Sequence, residues 1–192
     1  MITIATNPIP DKWTLAEYLD HEQAVGVKYE YIDGEIFAMS GGSKAHGRII
    51  SNTFIELGIQ LRQTTCHAYT SDVRVKISDT KYVYPDISIV CGEDKFDDDD
   101  ETMLTNPTLV VKVMSPSSEN DDKGMKSDFY RSLPSAKGYL LLDQKRVFAQ
   151  LYTPHESGWL LREFDQPDAI IPLDIIDCQL PLKEVYQHVQ FD

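Results

Sequence analysis

The sequence has few basic residues for a chain of its length. Its 192 residues include 18 Lys and Arg against 31 Asp and Glu, which gives a formal net charge of −13. A broad basic surface of the kind that binds the phosphate backbone of a nucleic acid is therefore not expected. Part of the acidic excess lies in the run from Asp97 to Glu101, which lacks the ligand spacing of a calcium-binding loop and predicts a solvated loop. Metal ions can bridge carboxylates to phosphate, so the charge argues against a nucleic-acid enzyme without excluding one.

Several other signatures are missing. No run approaches the 18 apolar residues that span a bilayer, and the segment Met1–Ala5 lacks the basic start of a signal peptide, so a cytoplasmic location is predicted. The motif G-x-S-x-G and both standard phosphate-binding glycine loops are absent, which argues against a serine hydrolase and a nucleotide-binding loop. The three cysteines, Cys66, Cys91 and Cys178, fit neither a zinc pattern nor a disulfide framework and predict buried thiols.

The order of predicted elements indicates a single α/β domain over residues 1–192, with a mixed sheet flanked by helices. Thr14 and Glu17 form a T-x-x-E capping box at the start of the first helix. Asp33-Gly34 between two aromatic and β-branched runs predicts a hairpin. The apolar positions of a second helix are Ile50, Phe54, Leu57 and Leu61.

Lys112 interrupts the apolar, β-branched run Leu109–Met114. Such a run predicts a strand buried on both faces, where a lone ammonium is costly unless it is paired. Asp86 stands at the head of another apolar run, Ile87–Cys91. A carboxylate at the mouth of a buried strand is well placed to hold a divalent ion, although an acid that only caps a turn is the more common case.

Lys126 lies four residues after Asp122 and four before Tyr130, so the three share one face of a predicted helix. Two interpretations are open. The lysine could position an attacking water or stabilise charge on a phosphate in the transition state. The more common case for this spacing is an ordinary surface ion pair with Asp122.

Three further side chains are candidates for a cleft. His46 begins the second helix just after a Gly-Gly turn and could act as a ligand or proton-transfer group, or be simply solvated. Glu30 and Glu35 flank the predicted hairpin. Either could face the cleft, although exposed charges are the ordinary occupants of hairpin positions.

Taken together, these segments resemble the Uma-two family of restriction-endonuclease-like proteins, within the PD-(D/E)-x-K nuclease superfamily. The segments that carry the resemblance are, in order, YEYIDGE (Tyr29–Glu35), YPDISIV (Tyr84–Val90), NPTLVV (Asn106–Val111), SPSS (Ser115–Ser118), DKGMK (Asp122–Lys126) and YRSLPS (Tyr130–Ser135). The resemblance implies a restriction-endonuclease-like core, magnesium-dependent hydrolysis of DNA phosphodiesters and assembly as a homodimer. It also implies that Asp86 is the first metal-binding acid and that Lys126 is the catalytic lysine, displaced onto a helix.

The chain departs from the family pattern at the second acid. The family has a Glu in a V-V-E-V-L-S-P-S segment, and this chain has Lys112 there; the family's R-G-E-K stretch reads Lys123-Gly124-Met125-Lys126. At about 4 Å, the interaction energy between a unit charge and a divalent ion is several kcal/mol even at an effective dielectric constant near 20. We therefore expect weak or absent magnesium binding, with the Lys112 ammonium in the place of the metal and paired with Asp86.

Three functions remain open at this point. The first is a protein with the nuclease fold whose cleavage activity is impaired by Lys112. The second is an active nuclease in which another acid, Glu30, Glu35 or Glu119, replaces the missing ligand. The third is a non-catalytic DNA-binding or protein-interaction module on the same fold.

Overall fold

A computed structural model describes residues 11–39, 41–98, 100–114, 122 and 124–191. The helices of this part are α1 (Leu15–Val25), α2 (Lys44–Leu61), α3 (Met125–Ser132) and α4 (Leu182–Val185), with a 3₁₀ turn at Asp174–Ile176. The strands are β1 (Tyr29–Ile32), β2 (Glu35–Ala38), β3 (Cys66–Thr70), β4 (Arg74–Ser78), β5 (Lys81–Val83), β6 (Ile87–Cys91), β7 (Met103–Leu104), β8 (Leu109–Met114), β9 (Gly138–Asp143), β10 (Ala149–His155), β11 (Gly158–Phe164), β12 (Ile170–Leu173) and β13 (Cys178–Pro181). None of these helices is both long and apolar enough to cross a membrane.

The strands form three sheets. The largest has the order β11-β10-β9-β8-β6-β3, a second has the order β2-β1-β5-β4-β7, and β12 pairs with β13. In the six-stranded sheet β8 and β9 run parallel, whereas the other neighbours are antiparallel. Helices pack against these sheets, so the predicted α/β class with a mixed sheet flanked by helices is confirmed.

Local sequence signals explain the first elements. The Thr14 hydroxyl accepts the backbone N–H of Glu17, and the Glu17 carboxylate accepts the backbone N–H of Thr14, as the capping box predicts. Asp33 and Gly34 both have positive φ, at 51° and 91°, and join β1 to β2 in a tight hairpin. These are the conformations that Asp-Gly supplies at low cost.

Two of the four expected positions of α2, Leu57 and Leu61, lie on its buried face, whereas Ile50 and Phe54 are half-buried at its flank. The buried face continues through Ala45, Ile49 and Thr53. A prediction based on the large apolar residues alone therefore misses part of the buried face of α2.

β8 is buried on both faces, as the sequence predicts, with all six residues buried. Leu109, Val111 and Val113 belong to the core that includes α2 and α4. Val110 and Met114 point to the opposite face, into the core that includes Tyr130 of α3. Lys112 shares this second face, because side chains alternate along a strand.

Two of the three cysteines are bonded, so the prediction of three buried thiols was wrong. Cys66 and Cys91 are direct partners in the antiparallel pair of β3 and β6, with Cα atoms 3.9 Å apart, and they form a disulfide. The sequence separation of 25 hides this proximity, because strand pairing rather than spacing brings the two residues together. Cys178 is a buried thiol, and burial raises its pKa.

The disulfide leads to a chemical test. Protein purified without reductant and denatured is expected to take up iodoacetamide at Cys178 alone, and at all three cysteines after reduction. Replacing both Cys66 and Cys91 by Ala should lower the free energy of unfolding by about 3 kcal/mol, because the bond closes a loop in the unfolded chain. Mass spectrometry and urea unfolding measure the two effects. Alkylation of three cysteines before reduction would contradict the bond.

Candidate active site at one end of the six-stranded sheet

The candidate site lies where β6 begins and β8 ends. These strands are antiparallel, and Ile87 pairs with Val111. Continuing this register by one residue places Asp86, just before β6, beside Lys112 on β8. Both side chains then point to the face that α3 covers, because each alternates with a residue of the opposite core.

Asp86 and Lys112 form a buried ion pair. The Lys112 Nζ lies 3.3 Å from Asp86 Oδ1, and it also donates to the backbone carbonyl of Tyr84 at 3.4 Å. The other carboxylate oxygen of Asp86, Oδ2, accepts the backbone N–H of Val113 at 2.6 Å. Asp86 is 4% exposed and Lys112 is 7% exposed, so water screens this pair weakly. The pairing that we expected from the sequence is present.

Lys126 belongs to a second buried pair in the same region. Its Nζ lies 2.7 Å from Glu30 Oε2 on β1 and 3.6 Å from Asp122 Oδ1. Lys126 and Glu30 are almost fully buried, and Asp122 is completely buried. The contact with Asp122 that the sequence suggested is present. The interpretation of an exposed surface pair was wrong, because Lys126 points into the interior and binds Glu30 of the five-stranded sheet.

His46 also reaches this region. Its Nε2 lies 3.9 Å from Asp86 Oδ2, which is beyond hydrogen-bonding distance. The ring packs against the backbone of Gly42, where an added Cβ would lie 2.5 Å from the His46 Nδ1. The Ser43 hydroxyl accepts the backbone N–H of His46 and caps α2. Gly42 therefore allows the imidazole to approach the site from the start of α2.

Glu35 does not join the cluster. Glu35 is exposed and lies beside the hairpin turn, opposite Ile32, whereas Glu30 lies further along β1 and is buried. Of the two interpretations of Glu35, the exposed hairpin charge is the one observed, since the edge strand β2 holds it in solvent. Glu119, named as a substitute ligand, lies outside the described residues.

Tyr130 is a component of this region to which the sequence analysis gave no role. It is 1% exposed, and within the described part of the chain its hydroxyl has no hydrogen-bond partner. Burial raises the pKa of Tyr130 well above its usual value, and the carboxylates of Glu30, Asp122 and Asp86 add to the effect. Its position four residues after Lys126 on α3 is the signal that could have identified it.

The described donor set does not fit a divalent metal ion. One oxygen of Asp86 faces the Lys112 ammonium, and the other accepts a backbone N–H. Glu30 is similarly engaged, by Lys126 and by the backbone N–H of Tyr84 at 3.5 Å. Among the described residues, no three His, Cys, Asp or Glu side chains are placed together to hold a metal. The arrangement instead neutralises two buried ammonium groups.

The fold matches that of a protein of known structure. The crystal structure of a "putative nuclease belonging to DUF820" from Anabaena variabilis ATCC 29413 superposes with a TM-score of 0.72, covering 92% of this chain and 99% of that chain. The sequence identity is 20%, so the likeness concerns the fold. It is consistent with the restriction-endonuclease-like architecture expected from the sequence.

The family is defined by sequence. Residues 15–183 match the model of the Uma2 family, described as "Putative restriction endonuclease", and the chain belongs to this family. The uncharacterized protein sll1609 of Synechocystis sp. (strain ATCC 27184 / PCC 6803 / Kazusa) is 35% identical over 85% of this chain and 92% of its own length. The uncharacterized protein slr1290 of the same strain is 34% identical over 96% of each chain.

The Asp86–Lys112 pair predicts strong coupling between the two positions. Lys112→Met leaves a buried carboxylate without its ammonium, and Asp86→Asn leaves the ammonium without its carboxylate. Each single change should lower the free energy of unfolding by about 3 kcal/mol. The double variant should lose much less, because it buries neither charge and Asn can still accept the Val113 N–H. Urea unfolding of all four proteins measures the coupling, and additive losses would contradict it.

Proposed function

We propose that this protein is a DNA-binding member of the nuclease family in which metal-dependent hydrolysis of phosphodiesters is impaired. The Lys112 ammonium takes the position that the family pattern gives to the second metal-binding carboxylate. The protein thus keeps the nuclease scaffold without the ligand set for magnesium. The description of the family as restriction endonucleases supports DNA as the substrate class, whereas the name of the structural neighbour mentions a nuclease without its substrate.

One observation carries the proposal, namely the 3.3 Å contact between Lys112 Nζ and Asp86 Oδ1. A cation that binds Asp86 has to approach this ammonium or displace it. Repulsion of a divalent ion at about 4 Å costs several kcal/mol even at an effective dielectric near 20. Displacing the ammonium would also leave Lys112 without its carboxylate partner, in a site with little access to water. Both routes oppose magnesium binding.

The structure gives little support to a substitute ligand among the described acids. Glu30 is the strongest candidate among them, since it is buried and lies in the same cluster as Asp86. Its Oε2 is 2.7 Å from Lys126, so binding a metal there would require Lys126 to give up this ion pair. Glu35 is exposed beside the hairpin turn. Homodimer assembly and a cytoplasmic location stay predictions from the sequence.

Lys112→Glu provides the functional test. The substitution restores the acid of the family pattern, and it is expected to produce nicking of supercoiled plasmid that requires magnesium or manganese. The native chain should show nicking near the background level under the same conditions. Gel analysis of plasmid conversion over time measures both rates.

Two matched variants control this experiment. Lys112→Gln removes the ammonium without adding a ligand and is expected to stay inactive, which separates charge removal from metal ligation. Asp86→Ala in the Lys112→Glu background should abolish the gained activity. Metal-dependent nicking by the native chain that Asp86→Ala removes would show an intact site and contradict impairment. Inactivity of a folded Lys112→Glu protein would show that Lys112 is not what prevents cleavage.

A further inference from the structure

The acidic residues are spread unevenly along this chain. No Asp or Glu occurs between Glu35 and Glu56, although the whole sequence contains 31 of them. This stretch includes the first half of α2 and carries Lys44 and Arg48. The net charge of −13 therefore does not describe the surface around the start of α2.

Four cations lie on two neighbouring segments of this surface. Lys44 and Arg48 are exposed and one helical turn apart on α2, so they face the same side. Lys145 and Arg146 are exposed in the turn between β9 and β10. The Ser43 hydroxyl donates to Gln144 Oε1 at 2.5 Å and joins the two segments. We call Lys44, Arg48, Lys145 and Arg146 the basic strip.

Most of this positive charge is uncompensated. Arg146 pairs with Asp143 Oδ2 at 3.3 Å. Among the described residues, the side chains of Lys44, Arg48 and Lys145 have no ion pair with an acid. Three exposed cations without an acidic partner thus lie on two segments that the Ser43–Gln144 hydrogen bond joins. The positive end of the α2 dipole points to the same side and adds to the local potential.

The basic strip lies at the same end of the six-stranded sheet as the candidate site. His46 stands two residues from both Lys44 and Arg48 on α2, so its imidazole points away from them and toward Asp86, whose Oδ2 is 3.9 Å from the His46 Nε2. On the other side, Asp143 at the end of β9 pairs with Met114, two residues beyond Lys112 on β8. The starts of α2 and β6 and the ends of β8 and β9 thus meet at one end of the six-stranded sheet.

We propose that the basic strip binds the backbone phosphates of DNA at the end of the six-stranded sheet where the buried Asp86–Lys112 pair lies. This inference rests on the proposed function, and it goes further by assigning the surface that holds the substrate. Exposed ammonium and guanidinium groups attract phosphates without reading sequence, so the binding is expected to be non-specific and sensitive to salt. A local strip of this kind allows a chain with strong overall negative charge to bind a polyanion on one side.

Two triple variants with the same net charge test the assignment. The first, Lys44→Gln/Arg48→Gln/Lys145→Gln, removes the three unpaired cations of the basic strip. The second, Arg62→Gln/Lys95→Gln/Lys137→Gln, removes three exposed cations that follow α2, follow β6 and precede β9. These control positions lie at the opposite end of the six-stranded sheet. Thermal unfolding verifies that both variants fold.

Fluorescence anisotropy with a short labelled DNA duplex gives the readout, titrated with KCl from about 50 to about 200 mM. The native chain is expected to bind with a log Kd that rises linearly with log salt. The strip variant should bind at least about tenfold more weakly at the lowest salt, with a salt slope lower by roughly 2 to 3, since each lost phosphate contact removes about 0.9. The control variant should match the native chain.

Each other outcome has a defined meaning. Native binding that the strip variant retains, or that both triple variants lose equally, would overturn the basic strip as the DNA surface while leaving the proposed function in place. Absence of native binding to the duplex would overturn the inference together with DNA as the substrate class. An RNA duplex of the same sequence is titrated in parallel, and tighter binding to it than to the DNA duplex would overturn DNA as the ligand of the basic strip.

Discussion

A charged group inside a protein core needs a partner of opposite charge, and this constraint determines how the residues around Lys112 are arranged. Lys112 lies on a central strand that is buried on both faces, and Asp86 supplies the only carboxylate in the described structure that forms an ion pair with it. Asp86 is in turn fixed by the backbone N–H of Val113, so the pair ties the start of β6 to the end of β8. Removing either charge alone would leave the other buried without compensation.

The second pair extends the same principle to the neighbouring sheet. Lys126 on α3 binds Glu30 on β1, so α3 links the five-stranded sheet to the six-stranded sheet that it covers. Together with Asp122, the two pairs place three carboxylates and two ammonium groups in one buried region, with His46 at its border. The two ammonium groups offset most of the negative charge of these carboxylates from within the chain.

Part of this arrangement could be predicted from the sequence. The Asp33-Gly34 hairpin and the Thr14 capping box are local signals, whereas the pairing of Asp86 with Lys112 was expected from the family resemblance, which places both positions at one site. The contact of Lys126 with Glu30 joins a helix to a different sheet, and no spacing rule predicts it. The Cys66–Cys91 bond was missed for the related reason that strand register brings the two residues together. Glu35 and Glu30 have similar sequence contexts, and only the edge position of β2 separates an exposed acid from a buried one.

The central claim is that the Lys112 ammonium prevents a divalent cation from binding at Asp86. Electron paramagnetic resonance of Mn²⁺ tests it directly, because bound manganese loses the sharp signal of the free ion. The native chain and the folded Asp86→Asn/Lys112→Met variant share every other acid of this acidic protein, so weak binding elsewhere affects both equally. The account predicts the same manganese binding curve for the two proteins. An additional tight equivalent in the native chain, absent from the double variant, would contradict it.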